Sequence, residues 1–301
     1  MVTPRVEKHR RNGEIKFIEN LFWGYGIMND QNGTIAKVKQ MVRDANNIVV
    51  LLGIGTVIES GGENIWSSRE CYRLEEKYHK SPDEMMSVEY YSARRDKFFE
   101  FYKNEIIADI LEPASLYDEL VILQKQGKVS KFITQNYYNL ECKAGLEDVI
   151  ELHGNIKHNI CPHCGKKFDV EYMQKAKGVP TCDECKCAIR PGVLLFGEKI
   201  LNGPMTEAVN ACEKADLILV IGTNMYDNMV RFCTGDYKGE RPPLVLITKE
   251  EHYTDRYADL VIHDKVCDVL PQIISKDLPE KKRVKEEEIV VKSAKKATKK
   301  K

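Results

Sequence analysis

Five short apolar runs punctuate the chain at wide intervals. Ile48–Leu52 is the first, and residues 131–134, Leu217–Ile221, Leu244–Thr248 and 260–262 follow. Most are rich in β-branched residues, and each has the size of a strand buried on both faces. Between them lie stretches in which apolar residues recur every three or four positions. Ile35, Val38, Met41 and Val42 do so within 34–45, and 114–126 and 205–214 carry the same helical patterning. Residues 70–80 read as a charged helical stretch. Buried strands alternating with amphipathic helices predict a parallel sheet covered on both faces. The expected class is therefore α/β, a doubly wound, Rossmann-like parallel sheet.

One stretch breaks the rhythm. Residues 155–190 hold five of the ten cysteines and few large apolar side chains. Hydrocarbon alone cannot build a core there, so a metal is expected to hold the piece together. The expected organisation is an N-terminal arm, 1–30, and a sheet domain made of 31–154 and 191–275. A metal module, 155–190, is inserted in that domain, and a Lys-rich tail, 276–301, follows it.

Charge sharpens this division. Lys plus Arg equals Asp plus Glu, at 46 each, but 276–301 hold 11 basic against 5 acidic residues. The tail is thus at +6 and the rest at −6. A mildly acidic body does not suit nucleic acid, so only weak contacts by the basic tail are expected. No apolar run approaches the roughly 18 residues of a membrane span. The first residues lead into charge rather than an apolar core, which does not read as a secretory signal. A cytoplasmic protein is expected, with cysteines used as thiols or metal ligands.

The sharpest local signal is Cys161-x2-Cys164, seventeen residues, then Cys182-x2-Cys185. Two such knuckles can close a tetrahedral thiolate site around one zinc ion. Four protein ligands leave no open position, so this zinc would be structural. Cys187 and His163 are nearby competitors; their plainer readings are a spare thiol and a solvated imidazole.

Gly53-x-Gly55 stands where the first strand ends, and Gly222-Thr223-Asn224 ends a later one. Glycine at a strand end lets backbone come close to a phosphate, although a tight turn uses it equally well. The third glycine of the dehydrogenase fingerprint would fall at Ile58, so hydride transfer of the usual kind is not expected. Two such turns together fit a ligand crevice at the switch point of a doubly wound sheet.

Four further segments join these: Thr134-Gln135-Asn136, Glu151-Leu152-His153-Gly154, Arg190-Pro191 leading to Phe196-Gly197-Glu198, and Ala258-Asp259 with Val269-Leu270-Pro271. In this order, around the cysteine quartet, they resemble the sirtuins, NAD-dependent protein deacylases, over residues 35–274. The resemblance implies a transferase acting on NAD and on acylated-lysine protein, with NAD as co-substrate and zinc as a structural ion. It implies that Gly53, Gly55 and Thr56 line the pyrophosphate. Gly222, Thr223, Asn224, Thr248 and Val266 would serve the adenosine half. Gln135, Asn136 and Tyr138 would lie at the nicotinamide end, with Asn136 facing the ribose. Val193, Phe196, Gly197 and Glu198, within 193–198, would pair with the substrate backbone by strand addition. His153 would be the general base, a task suited to an imidazole.

The chain also departs from the sirtuin pattern. Ile54 stands where the family has Ala, and Asn64, Ile65 and Trp66 stand where it has Asp, Phe and Arg. Tyr138 replaces an Asp, Glu141 a His, and Thr248 an Asn. With a shifted loop register, Trp66 would shield the ribose and Arg69 would supply the charge. A deacylase with a re-tuned nicotinamide end is one reading; ADP-ribosyl transfer or NAD hydrolysis, and NAD or ADP-ribose binding without turnover, are the others. The survival of Asn136, His153 and Phe196-Gly197-Glu198 favours the first.

Overall fold

A computed structural model describes residues 31–235 and 241–280. The expected arm, 1–30, and the tail from 281 onward lie outside the described residues. Eight strands are formed among them: β1 Ile48–Leu52, β2 Val129–Thr134, β3 Val149–Glu151, β4 Asn159–Ile160, β5 Lys167–Phe168, β6 Leu217–Ile221, β7 Leu244–Thr248 and β8 Leu260–His263. Six make one sheet in the order β3-β2-β1-β6-β7-β8, every pair parallel. The order runs outward both ways from β1, which is the doubly wound topology. Its switch point lies between β1 and β6. Leu52, the last residue of β1, sits level with Thr134 and Ile221.

The five runs read from the sequence all fall on sheet strands. The sixth, β3, has only three residues, Val149–Glu151, at the sheet edge. It is too short to leave a periodic signature.

Alternation along a strand sends side chains to opposite faces. Ile48, Val50 and Leu52 face one layer, whereas Val49 and Leu51 face the other. The first layer is built on α1 (Gln31–Asp44), α7 (Ser115–Lys125) and α12 (Val266–Ile273), the second on α10 (Asn202–Lys214) and α11 (Asn228–Thr234). All five β1 residues are fully buried. Hence the run is continuously apolar rather than alternating.

The rest of the chain forms a smaller lobe. After α2 (Ile54–Glu59) come α3 (Ser68–Tyr78), α4 (Pro82–Met85), α5 (Val88–Ala93) and α6 (Arg95–Phe101), then a π-helical turn, Tyr102–Ile106. Ser67, Ser81 and Ser87 each cap a helix by accepting from the backbone N–H three residues on. Phe98, Phe99, Phe101 and Tyr102 are wholly buried; Phe98, Phe99 and Tyr102 meet one another edge-on or stacked, and Phe101 meets Tyr78 edge-on. The cysteine module packs on this insertion. It holds the β4–β5 hairpin and α9 (Val170–Lys175); Lys103 Nζ donates to Ala176 O at 2.6 Å, and Gln174 donates to Ile107 O. The small α8, Leu140–Lys143, follows β2.

Candidate active site

The chain leaves the carboxyl ends of β1, β2, β3 and β6 at Gly53, Gln135, Leu152 and Gly222, all along one edge of the sheet, with the switch point between Gly53 and Gly222. The small lobe faces them across a cavity of about 520 Å³. The first lobe contributes Gly53, Gln135, Asn136, Tyr138 and His153; Trp66, Phe196, Gly197 and Glu198 line it from the other side.

The two glycine turns meet back to back. A Cβ on Gly53 would stand 2.3 Å from Thr223 Cβ, and one on Gly55 would stand 2.7 Å from Gly222 Cα. Gly53 N–H donates to Ile221 O at 2.9 Å and Gly55 N–H to Gly222 O at 2.7 Å. Close packing between turns is thus one sufficient reason for these glycines. Of the first turn, Gly53 and Ile54 line the cavity. Thr56 is buried beneath it.

Asn136 is fixed from three directions. Its Nδ2 donates to Gly53 O at 2.9 Å and to Thr56 Oγ1 at 3.1 Å, and its backbone N–H donates to Thr134 Oγ1 at 3.0 Å. With the amide nitrogen spent inward, the carbonyl oxygen is what the side chain can offer a ligand. Behind it, Thr134 Oγ1 donates to Glu141 Oε1 at 3.0 Å, and Tyr117 OH donates to Thr56 Oγ1 at 3.3 Å. Glu141 is almost wholly buried, and desolvation pushes its carboxyl up to about 7.

His153 follows β3, and its backbone O accepts from Leu194 N at 2.8 Å. Burial holds its imidazole below the ordinary value; the Asp227 carboxylate and a hydrogen bond to the Gln135 backbone oppose that shift. An imidazole kept neutral near working pH can accept a proton. Asp227, absent from the sequence reading, is itself pinned. Its Oδ2 accepts from Thr223 Oγ1 at 3.0 Å and its Oδ1 from Met229 N at 2.8 Å. The helix cap was legible as Asp before an apolar run. Its nearness to His153 depends on how β3 and β6 are placed in the sheet.

Residues 193–198 are held from both sides. Val193 bridges Gly154, and Phe196 N–H donates to Met86 O while its own O accepts from Val88 N. Leu195 N–H donates to Glu198 Oε2 at 2.7 Å, and Arg190 grips the same oxygen at 2.6 Å. Leu195 therefore has its backbone N–H and C=O taken by Glu198, which narrows the edge a substrate strand can use.

Trp66 lines the cavity and meets Tyr137 and Phe196 edge-on, at 6.3 and 6.2 Å between ring centroids. Its Nε1–H is buried with no hydrogen-bond partner among the described residues. Such a donor is what a ligand's oxygen would satisfy. Arg69 does not supply charge to the site. It lies in the first turn of α3, with its side chain 91% exposed, because α3 turns Glu70 and Leu74 inward. Arg73 is the nearby cation, paired with Glu70 at 2.7 Å and Glu105 at 2.9 Å beside a small chamber that Tyr138 and Glu63 also line. Burial raises the Tyr138 phenol above its ordinary value, so it stays a neutral hydroxyl.

Other expected residues lie farther from the cavity lining. Asn224 Oδ1 accepts from Tyr226 N at 2.9 Å, and Thr248 ends β7, largely buried. Val266 is in the core, and its N–H donates to Glu59 Oε1 at 2.7 Å.

The four cysteines converge. Sγ of Cys161, Cys164, Cys182 and Cys185 all lie within 4.8 Å of one another, with 3.3 Å between Cys161 and Cys185 and 3.6 Å between Cys164 and Cys182. A zinc ion bound at ~2.3 Å by each sulfur needs edges of ~3.8 Å, so the set fits. The Cys164 and His163 backbone N–H groups donate to the Cys161 sulfur and bring its thiol down to about 6. That favours the thiolate a metal requires. His163, Cys185 and Cys187 form a second, overlapping group.

Comparison with known proteins agrees with this geometry. The model of the Sir2 family matches residues 53–227. The NAD-dependent protein deacetylase of Clostridium acetobutylicum is 32% identical over 241 residues, 80% of this chain and 98% of that protein. The protein of the same name from Clostridium tetani is 33% identical over 246 residues, 80% and 97% of the two chains. A solved Sir2 structure with a p53 peptide and NAD+ superposes with a TM-score of 0.66 at 25% identity, covering 79% of this chain and 96% of that one.

Proposed function

Because this chain belongs to the Sir2 family, we infer that it is an NAD-dependent protein deacylase. It consumes NAD, an acylated lysine and one water, and yields nicotinamide, free lysine and O-acyl-ADP-ribose. The observation that carries the reading is one cavity lined together by Asn136, His153 and Phe196-Gly197-Glu198.

In this reading the acyl oxygen attacks C1′ of the nicotinamide ribose as nicotinamide leaves. Asn136 orients that ribose through its side-chain oxygen. His153 then takes a proton from a ribose hydroxyl, which captures the acyl carbon. The imidazole is neutral for this step because burial lowers its proton affinity. Trp66 covers the reacting face, keeps bulk water out until the acyl carbon is captured, and offers its free indole N–H; one water then releases the lysine. Val193, Phe196, Gly197 and Glu198 meet the substrate chain on the edge left open by Met86 and Val88. Gly53, Gly55, Thr56, Gln135, Tyr138, Gly222, Thr223, Asn224, Thr248 and Val266 remain the proposed NAD set, with direct contact assigned to those that line the cavity.

The functional units are then 31–154 with 191–275 for NAD, and 155–190 for one structural zinc held by Cys161, Cys164, Cys182 and Cys185. No helix among the described residues is long and apolar enough to cross a membrane. Cysteines used as thiolate ligands support a cytoplasmic setting.

The test is nicotinamide release from NAD with and without an acetyl-lysine peptide, with the products weighed by mass spectrometry. Release only with peptide, together with O-acetyl-ADP-ribose, is expected. Equal release without peptide would overturn the reading in favour of NAD hydrolysis or ADP-ribosyl transfer. ADP-ribose binding with no release would make the chain a binding module.

A further inference from the structure

The cysteine module is the same turn built twice. Cys161-x2-Cys164 leads into Gly165 and Cys182-x2-Cys185 into Lys186, with φ at +76° and +64°. The Gly165 and Lys186 N–H groups donate back to Cys161 O and Cys182 O, at 2.9 and 3.0 Å. One residue on, Lys166 O and Cys187 O accept from Cys161 N and Cys182 N, both at 2.8 Å. The Lys166 and Cys187 N–H groups donate to the Cys164 and Cys185 sulfurs. Lys166 in the first turn therefore matches Cys187 in the second, and His163 matches Glu184.

The matched positions meet across the module. On one side Lys166 Nζ pairs with Glu184 at 3.0 Å and with Asp183 at 2.8 Å. On the other side the equivalent places hold Cys187 and His163. Their ligand atoms and Cys185 Sγ all lie within 4.8 Å of one another. The turn itself does not require a thiol at 187, because its twin closes through the same hydrogen bonds with a lysine at 166. An ion pair on one side is thus replaced on the other by an imidazole and a thiol, both of which bind thiophilic cations.

We propose that His163, Cys185 and Cys187 form a second metal site, in which the Cys185 sulfur bridges to the zinc of the quartet. Zinc held by sulfur at ~2.3 Å and by imidazole at ~2.1 Å needs ligand separations of roughly 3.5–3.8 Å, so the triad has only to close slightly. Two ions sharing one sulfur at those lengths stand about 3.8 Å apart. Charge favours the second ion. Zinc with four thiolates is doubly anionic, and adding a divalent ion with the Cys187 thiolate leaves the pair singly anionic. Lys166 is already engaged by Asp183 and Glu184. Three protein ligands leave the fourth position to solvent, and His163 is exposed, so this ion exchanges more readily than the one in the quartet.

The test counts metal on the full chain. Metal-free protein is titrated with zinc against a chromophoric chelator. Wild type is expected to take two equivalents, the second more weakly; Cys187→Ser and His163→Ala are expected to take one. Neither variant touches the other three quartet cysteines, so each should keep its first zinc. In cadmium-loaded wild type, NMR with the spin-active isotope should give two resonances split by coupling through the Cys185 sulfur. Cys187→Ser should give one unsplit resonance. A single equivalent in wild type would overturn the site. Two equivalents in wild type and in both variants would place the extra ion elsewhere on the surface and overturn it as well. Two uncoupled cadmium resonances would overturn the shared sulfur.

Discussion

At the scale of single residues, the departures from the sirtuin pattern prove to be connected. Glu141 lies directly behind Asn136, linked through the Thr134 hydroxyl. Tyr117 approaches Thr56, which also holds the Asn136 amide. A His at position 141 could be neutral there; a Glu must either hold its proton or carry a buried charge. Burial pushes its carboxyl up to about 7, well above the ordinary carboxylate range near 4.5. The protonated form is therefore favoured by folding. The resulting stability is complete below about 4.5 and is lost as pH rises through about 7. Glu141→Gln removes the titration and keeps an acceptor for Thr134. The variant should unfold at higher denaturant than wild type at pH 8, by roughly 2–4 kcal/mol, with the gap shrinking toward pH 5. Denaturant midpoints at the two pH values measure this; a gap of equal size at both would mean that Glu141 does not titrate in the fold. Burial likewise raises the Tyr138 phenol, so the chain offers a neutral hydroxyl donor at the proposed nicotinamide end.

At the scale of elements, the two glycine turns make the clearest case, and they also mark where the sequence stops being informative. Gly53-x-Gly55 was legible as a turn, but a sequence cannot tell a phosphate from a neighbouring turn as the thing that comes close. The structure brings Thr223 and Gly222 to that place. Gly53→Ala should cost about 3 kcal/mol through overpacking of the two turns. Gly61→Ala, with φ at +86° and open space around its Cβ, should cost about 1 kcal/mol from backbone strain alone. Urea unfolding of both variants tests the order, and equal losses would remove the packing argument. The same limit applies elsewhere. Strands β1, β6 and β7 were legible because burial on both faces makes them continuously apolar. Helices α4, α5 and α6 were not, since they have four to seven residues and too few turns to show a period. Their serine caps are readable one by one, yet nothing local says that they gather to carry the cysteine module. Trp66 and Arg69 needed the register of one loop, and that register set Trp66 inward and Arg69 outward.

At the scale of the molecule, the zinc module shares a wall and one of the two core layers with the sheet. Cys161, Phe168, Met173, Cys182 and Ile189 pack in the cluster that runs through the small lobe to Ile48, Val50 and Leu52 of β1, whereas none of them enters the layer of α10 and α11. The module is stitched to the catalytic strand ends at a few points: Asn155 N–H donates to Gly192 O, Asn159 Oδ1 accepts from Gly192 N, and Gly154 bridges Val193. These fix the start of 193–198, one wall of the cavity. A piece with so little hydrocarbon depends on its metal, because binding and folding of such a module are one event. Loss of zinc should therefore release that wall while the glycine turns and Asn136 keep their places. Protein stripped by a chelator is expected to bind ADP-ribose within a few-fold of the zinc-loaded form, measured by calorimetry. Peptide-dependent nicotinamide release should be abolished and should return when zinc is restored. Stripped protein that still turned over peptide would show the module to be dispensable for the wall. Loss of ADP-ribose binding together with turnover would show instead that the two lobes fold as one unit, and that the shared wall transmits disorder across the switch point into the sheet.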